Sequence, residues 1–316
     1  MIETASLTQP PFALREVSKR YGSILALDRV SLALEQGEFF GLLGPNGAGK
    51  TTFMSLVAGI RSPDSGQILL FDQPFEHRRL DQRKLLGFVP QSIALYEDLD
   101  AVENLRLFGR LYGLRGRLLE ERIGEGLRAV QLFDRRASAV KTFSGGMRRR
   151  LNILASILHR PRLLLCDEPT VGVDPQSRNA IFEYLEDLNR DGMTIVYSTH
   201  YMEEATRLCS RIGIIDHGKV LALGTLDELL GELPASEQIR VARNETTAGS
   251  IAELRHFGEW AETQEAFVLS PSPEMRLSEF FAALERLRLS YRLVEVERPT
   301  LEDLFLHLTG NSLRDS

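Results

Sequence analysis

Residues 44–52 read GPNGAGKTT, with the apolar run FFGLLG leading into them and Phe53, Leu56, Val57 and Ile60 following at helical spacing. Strand, glycine-rich loop and helix in that order constrain the fold more than anything else in the chain. The pattern G-x-x-x-x-G-K-[ST] runs from Gly44 to Thr51, and its glycines let backbone N–H groups curl around phosphates. The start of the following helix adds a favourable dipole for an anion. Gly44, Pro45, Asn46, Gly47, Ala48, Gly49, Lys50, Thr51 and Thr52 are therefore expected around a nucleotide's phosphates. Lys50 is expected to reach the β- and γ-phosphates, and the Thr51 hydroxyl to ligate Mg²⁺. A merely flexible turn is the bland alternative, and the flanking strand and helix argue against it.

The remaining pattern agrees with an α/β chain built around that loop. Residues 12–40 alternate apolar and polar in short pieces, with turn signals at Tyr21-Gly22-Ser23 and Gln36-Gly37, as antiparallel strands do. Residues 98–133 are mostly helical in pattern, and Gly146 to His159 reads as a helix stopped by Pro161. RLLLCDEP is a short apolar strand ending in two acids. Asp174-Pro175 opens a helix as N-cap and first-turn proline. TIVYSTH is another buried strand, and RIGIIDHGKVLAL a hairpin around His217-Gly218. Strands alternating with helices on this scale predict a mostly parallel sheet. Beyond roughly Leu230 the character changes: turn-like GELPASEQ, strand-like QIRVAR, AFVLS and YRLVEVE, and helices around Leu277–Leu287 and Thr300–Leu308. This is a small α+β appendage with no chemical motif.

Several side chains gain meaning from their place in this pattern. Asp167 and Glu168 end a strand, where ligands bind in α/β sheets. Asp167 suits support of Mg²⁺ and Glu168 a general base for water, the pairing that phosphoryl transfer requires. Adjacent acids in a loop would otherwise mean only solubility. His200 follows a strand to the same sheet edge, so a contact to the γ-phosphate is expected there rather than a structural role. Gln91, in FVPQS, is on its own an ordinary loop glutamine. Tyr21 either stacks on a base or simply packs. The second glycine element, FSGGMRRR at 143–150, is left without a ligand by these readings.

Composition limits the alternatives. Hydrophobic residues make up 43% and charged residues 26%, ordinary for a globular protein, and the net charge of −6 argues against a nucleic-acid surface. No apolar run approaches the roughly 20 residues that cross a bilayer. The opening MIETASLTQPPF has no basic and apolar leader, so no signal peptide is expected. Cys166 and Cys209 lie in no ligand-like spacing and are expected as free thiols. The basic residues Arg135, Arg136, Lys141, Arg148, Arg149 and Arg150 read as a solvated helix face or, beside SGG, as a phosphate-related patch.

In order along the chain, these pieces resemble the ATP-binding subunit of ABC transporters over roughly residues 12–230. Tyr21 matches the adenine-stacking aromatic, GPNGAGKT the Walker A loop and Gln91 the Q-loop. FSGGM matches the signature, LLLCDE Walker B, VGVD ending at Asp174 the D-loop, and His200 the switch histidine. The signature departs from the commonest pattern at Phe143, where leucine is usual, and Met147, where glutamine is usual. The resemblance implies a P-loop NTPase core with an antiparallel β subdomain and a helical subdomain at about 92–160. An N-terminal tail (1–11) precedes it and the accessory domain (235–316) follows. It implies ATP and Mg²⁺ as ligands, with Thr51, Gln91 and Asp167 at the metal. It also implies head-to-tail pairing of two such domains, most simply as a homodimer, in which Ser144, Gly145 and Gly146 of one chain close over the nucleotide of the other. That accounts for the second glycine element.

The stretch ALYEDLDAVENLRLFGRLYGL and the tail RPTLEDLFLHLTG resemble a branch that exports drugs, lipid-linked or polysaccharide-type substrates or ions, including daunorubicin-resistance and nodulation-factor exporters. An integral membrane permease as partner, and a place on the cytoplasmic face of the inner membrane, are implied. The rival reading is a non-transport ATPase of the same fold acting on ribosomes or DNA. Against it, one phosphate loop is present where the ribosomal type usually has two. The stretch between loop and signature also carries no sustained heptads, unlike the DNA-repair type.

Overall fold

The structure is a computed structural model that describes residues 10–76, 78–233, 238–272 and 274–310. Most of the expected N-terminal tail, residues 234–237 of the turn-like stretch and the end from 311 lie outside the described residues. The chain divides into one unit ending at Leu226 and a second beginning at Asp227.

The first unit opens with β1 (Phe12–Tyr21), β2 (Ile24–Leu34), β3 (Phe39–Leu43) and, across the glycine loop, α1 (Lys50–Val57). Next come β4 (Ser65–Leu70), β5 (Gln73–Pro74), the short α2 (Leu80–Arg83) and β6 (Leu86–Val89). A helical region follows: α3 (Ala101–Leu111), α4 (Gly116–Ala129) and α5 (Gly145–Ile157). The unit continues with β7 (Leu163–Asp167), α6 (Pro175–Arg190), β8 (Thr194–Thr199), α7 (Met202–Leu208), β9 (Arg211–Asp216) and β10 (Lys219–Gly224).

The strands form an antiparallel sheet of order β2-β1-β4-β5 and a six-stranded sheet of order β10-β9-β3-β8-β7-β6. The larger sheet is parallel except at β10, which pairs antiparallel with β9. Every residue of β3, β7 and β8 is buried, because both faces of the sheet are covered. Alternation nevertheless sorts the side chains. Leu163, Leu165 and Val196 join α1 residues Phe53, Met54 and Leu56 in one core. Leu164, Cys166, Ile195 and Tyr197 face the other, with Leu105, Leu127, Leu151 and Leu154 of the helical region. The register sets Leu43 beside Thr199 and Asp167 beside Ser198, so the ends of β3, β7 and β8 share one sheet edge.

Local signals hold the helix starts. Asp100 and Glu103 make a reciprocal capping box on α3, and Asp174 caps α6 with Pro175 in its first turn. Near the end of the helical region, the His159 ring stacks on Tyr112 at 3.6 Å and donates from Nε2 to Leu86 O at 2.9 Å. Burial lowers its pKa from 6.5 to about 4. The folded chain thus keeps His159 neutral while the unfolded chain takes up a proton near pH 6.5. Its contribution to stability is complete above that pH and is lost as the pH falls toward about 4. In His159→Gln the urea midpoint is expected to fall less steeply over this window than in the wild type. Parallel profiles would exclude the histidine as the source.

The second unit contains α8 from Asp227 onward (Leu226–Gly231), β11 (Gln238–Ala242), α9 (Glu245–Ser250), β12 (Gly258–Glu262) and β13 (Ala266–Pro271). It continues with α10 (Leu277–Arg286), β14 (Val294–Glu297) and α11 (Leu301–Thr309). Its antiparallel sheet has the order β12-β13-β11-β14 and packs Ile239, Val241, Phe267 and Leu269 against Phe280 and Leu284. Two details differ from the sequence reading. Only Val294–Glu297 of YRLVEVE is strand, because Ser290 caps a tight turn over Tyr291–Leu293. The strand around Trp260, whose Nε1 donates to Leu254 O at 3.1 Å, has too short a pattern to announce itself. Among the described residues no helix is long and apolar enough to cross a membrane.

Candidate functional site

The glycine loop joins β3 to α1, where Gly44 N donates to Thr199 O at 3.3 Å and so ties the loop to the end of β8. Gly49 sits at φ 111°, and a Cβ there would lie 2.6 Å from Ala26 O, so only glycine fits. The loop bounds a cleft of about 390 Å³ lined by Asn46, Gly47, Lys50, Thr51, Gln91 and Glu168. His217 and Gly218, at the β9–β10 turn, also line it. The sequence marked them only as a hairpin turn, since their approach to the loop depends on Gly218 N donating to Ala48 O at 2.9 Å.

Three of the expected residues meet on the carboxylate of a fourth. Glu168 is 6% exposed, and its Oε1 lies 3.1 Å from Lys50 Nζ and 3.3 Å from His200 Nδ1. Its Oε2 accepts from Gln91 Nε2 at 3.2 Å. Lys50, itself buried, also donates to Gly44 O at 2.7 Å and Pro45 O at 3.0 Å. The Glu168 backbone has φ 44°, uncommon for a residue with a side chain. Its N–H is held by Ser198 O at 3.2 Å and Ser198 Oγ at 3.1 Å. A strained residue pinned this way presents its carboxylate in one direction.

Asp167 is buried beside it and accepts from Ser198 Oγ at 2.7 Å. Burial pushes its pKa up, opposed by hydrogen bonds from Ser198 and Thr51 and by the Lys50 charge. A buried carboxyl whose charge is penalised, bonded to a threonine hydroxyl, suits a hard divalent cation. Thr51, Asp167 and the Gln91 amide oxygen are the oxygen donors that fit Mg²⁺.

Tyr21 stands apart from this group. It is 41% exposed with Lys19 Nζ 5.7 Å from its ring centroid, and the cleft lining at that end is Ile24, Leu25 and Ala26 instead. A larger groove of about 760 Å³ runs past Arg122, Leu154, Tyr184 and Met193 at the opposite ends of the strands. It contains none of the groups described above.

The signature forms the start of α5. Ser144 is its N-cap, accepting from Met147 N at 3.2 Å, and Ser144 and Gly145 are exposed. The nearest neighbour of a Cβ on Gly145 would be Gly172 O, 3.9 Å away. Gly146 differs: it is buried, and a Cβ there would collide with Ser177 Oγ and Cβ in the first turn of α6. Of the glycine pair, one is open to an approaching group and the other is required by the chain's own packing. Asp174, beside Ser177, accepts from Ser177 N at 2.9 Å, and this bond holds its carboxyl below the usual range.

The basic cluster disperses. Arg148 pairs with Glu97 at 3.2 Å, Lys141 with Asp98 at 3.0 Å, and Arg150 donates to Val130 O at 2.7 Å. Arg149 alone turns inward. Also unmarked in the sequence is Glu204, 3% exposed, which accepts from Thr170 Oγ1 at 2.7 Å, Thr199 Oγ1 at 2.7 Å and Tyr197 OH at 3.0 Å. It fastens the end of β8, where His200 begins, to the segment after Glu168.

Residues 27–171 match the family model described as ABC transporter. The chain is 41% identical to the linearmycin resistance ATP-binding protein LnrL of Bacillus subtilis (strain 168), over 95% of this chain and 98% of that protein. It is 39% identical to the Nod factor export ATP-binding protein I of Cupriavidus pinatubonensis, over 96% and 91%. Among solved structures, it resembles a dimeric ATP-binding cassette in a post-hydrolysis state bound to ADP and Pi. That match has 29% identity and a TM-score of 0.62, over 68% of this chain and 98% of that one.

Proposed function

The chain belongs to the ABC transporter family of ATP-binding proteins, and from that premise we propose that it hydrolyses ATP to drive export through a separate membrane permease. The observation that carries this reading is the meeting of Lys50, Gln91 and His200 on the Glu168 carboxylate beside a phosphate loop. Lys50 and the loop N–H groups bind the phosphates, and Gln91 and His200 hold the carboxylate. Glu168 takes the proton of the attacking water and His200 lies against the γ-phosphate. Thr51, Asp167 and Gln91 would hold Mg²⁺, which would supply charge neutralisation on the phosphates. Tyr21 is assigned to the adenine, which requires a ligand reaching past Ile24.

A second copy completes the site. The exposed Ser144 and Gly145 at a helix start supply donors and positive dipole to the γ-phosphate of the partner's nucleotide, and Asp174 lies at the same junction. Hydrolysis removes the phosphate that joins the halves, and the pair opens. Relatives named for Nod factor export support the export direction. The chain is then peripheral on the cytoplasmic face of the inner membrane, held by its permease.

The test is co-purification of the tagged chain from its own cells in mild detergent, with mass spectrometry. A multi-span membrane protein in near-equal amount is the expected result. Ribosomal or DNA-repair proteins without a permease would sink the transport reading and leave the ATPase intact.

A further inference from the structure

The signature helix carries a second device about one and a half turns beyond Ser144. Arg149 is 3% exposed, and its Nη1 donates to Pro90 O at 2.8 Å. Its Nη2 donates to Gln91 O at 2.8 Å and Glu168 O at 3.1 Å. Among the described residues no carboxylate lies within ion-pair distance of it. A buried cation whose direct partners are carbonyl oxygens costs free energy, and burial lowers its pKa, opposed only in part by the more distant Asp167 charge. What the arrangement gains is geometry. A planar fork of donors spans carbonyls on two segments at once, which a point-charge ammonium cannot do. The Glu168 residue is then anchored at both ends, its N–H by Ser198 and its carbonyl by Arg149.

We infer that Arg149 is a positioning residue for hydrolysis: from the signature helix it sets the backbone of Gln91 and Glu168. The element that closes on a second chain's nucleotide thereby adjusts the base that takes the proton from the water attacking this chain's own nucleotide. The inference rests on Glu168 being that base. A displacement of the carboxylate by about 1 Å suffices to lower the rate by about 10²-fold.

The test uses the full chain with Arg149→Lys and Arg149→Gln, measuring turnover, equilibrium ATP affinity and the urea midpoint. Turnover is expected to fall roughly 10- to 100-fold in Arg149→Gln and less in Arg149→Lys, with ATP affinity within about 3-fold of wild type. In a Glu168→Gln background, Arg149→Gln is expected to add less than about 3-fold further loss, because the two act on one step. Wild-type turnover in a folded variant overturns the inference, and so does a parallel loss of affinity and turnover. A full multiplicative loss in the Glu168→Gln background overturns it as well, by making the role merely structural. If Arg149→Gln does not fold, Arg149→Lys decides by the same criteria. Retained turnover in Glu168→Gln itself would strike the base assignment instead, whereas loss there with normal Arg149 variants strikes this inference alone.

Discussion

Glu168→Gln is expected to lower ATP hydrolysis by roughly 10²- to 10⁴-fold, the usual worth of a positioned general base, while ATP binding persists. The amide keeps the size of the carboxyl and can still meet Gln91 and His200, so the cleft keeps its shape. It cannot take a proton from water. It also no longer forms the 3.1 Å ion pair that Glu168 makes with Lys50. The ammonium is therefore freer for phosphate, and removing a negative charge near the γ-phosphate acts in the same direction. ATP affinity should stay equal or rise. Single-turnover hydrolysis and equilibrium nucleotide binding on the purified chain measure both. Turnover near the wild-type rate would remove Glu168 from its role, and a parallel loss of affinity would show that the cleft had collapsed.

Gly145→Ala and Gly146→Ala should separate binding of a second chain's nucleotide from packing within this one. At Gly145 the new methyl meets nothing of its own chain closer than 3.9 Å, so the melting temperature should hardly change. On the proposed pairing the methyl stands where another chain's phosphate approaches N–H donors, and turnover should fall at least about 10²-fold, as when a donor to a reacting oxygen is removed. At Gly146 the methyl collides with Ser177 and forces apart the starts of α5 and α6. Overpacking of that kind costs about 1–3 kcal/mol, so both stability and turnover should drop. Pairing Gly146→Ala with Ser177→Gly relieves the collision and should recover most of the stability. Thermal melts and steady-state turnover of these variants make the comparison. Normal hydrolysis in Gly145→Ala would count against a second chain's nucleotide at this helix start.

Much of the fold was legible because its signals are local. The β1–β2 hairpin alternates and turns at a glycine, and Asp174-Pro175 opens α6 as its N-cap pattern requires. The apolar runs of β3, β7 and β8 were recognisable as buried strands. Their fully buried patterns, however, do not say which side chain faces which core. Where signals were short, as around Trp260, the strand was missed. Where a local cap competed, as Ser290 before YRLVEVE, the strand came out shorter than read. The inward course of Arg149 was invisible among three consecutive arginines, because a helix face is assigned by its surroundings and not by its own residue type.

The residues proposed to bind and cleave ATP were legible in the sequence alone, since a phosphate loop, two acids after an apolar strand and a helix-start Ser-Gly-Gly are each contiguous. Tertiary structure alone decided how they are held. Ser198 serves Asp167 and Glu168 only because parallel register sets β7 beside β8. Arg149 reaches Pro90 across 59 residues of chain, and Gly146 is glycine because Ser177 of another helix lies against it. Such partnerships depend on strand register and helix approach, and long-range packing sets both, whereas the periodicity of any one segment carries no information about its neighbour.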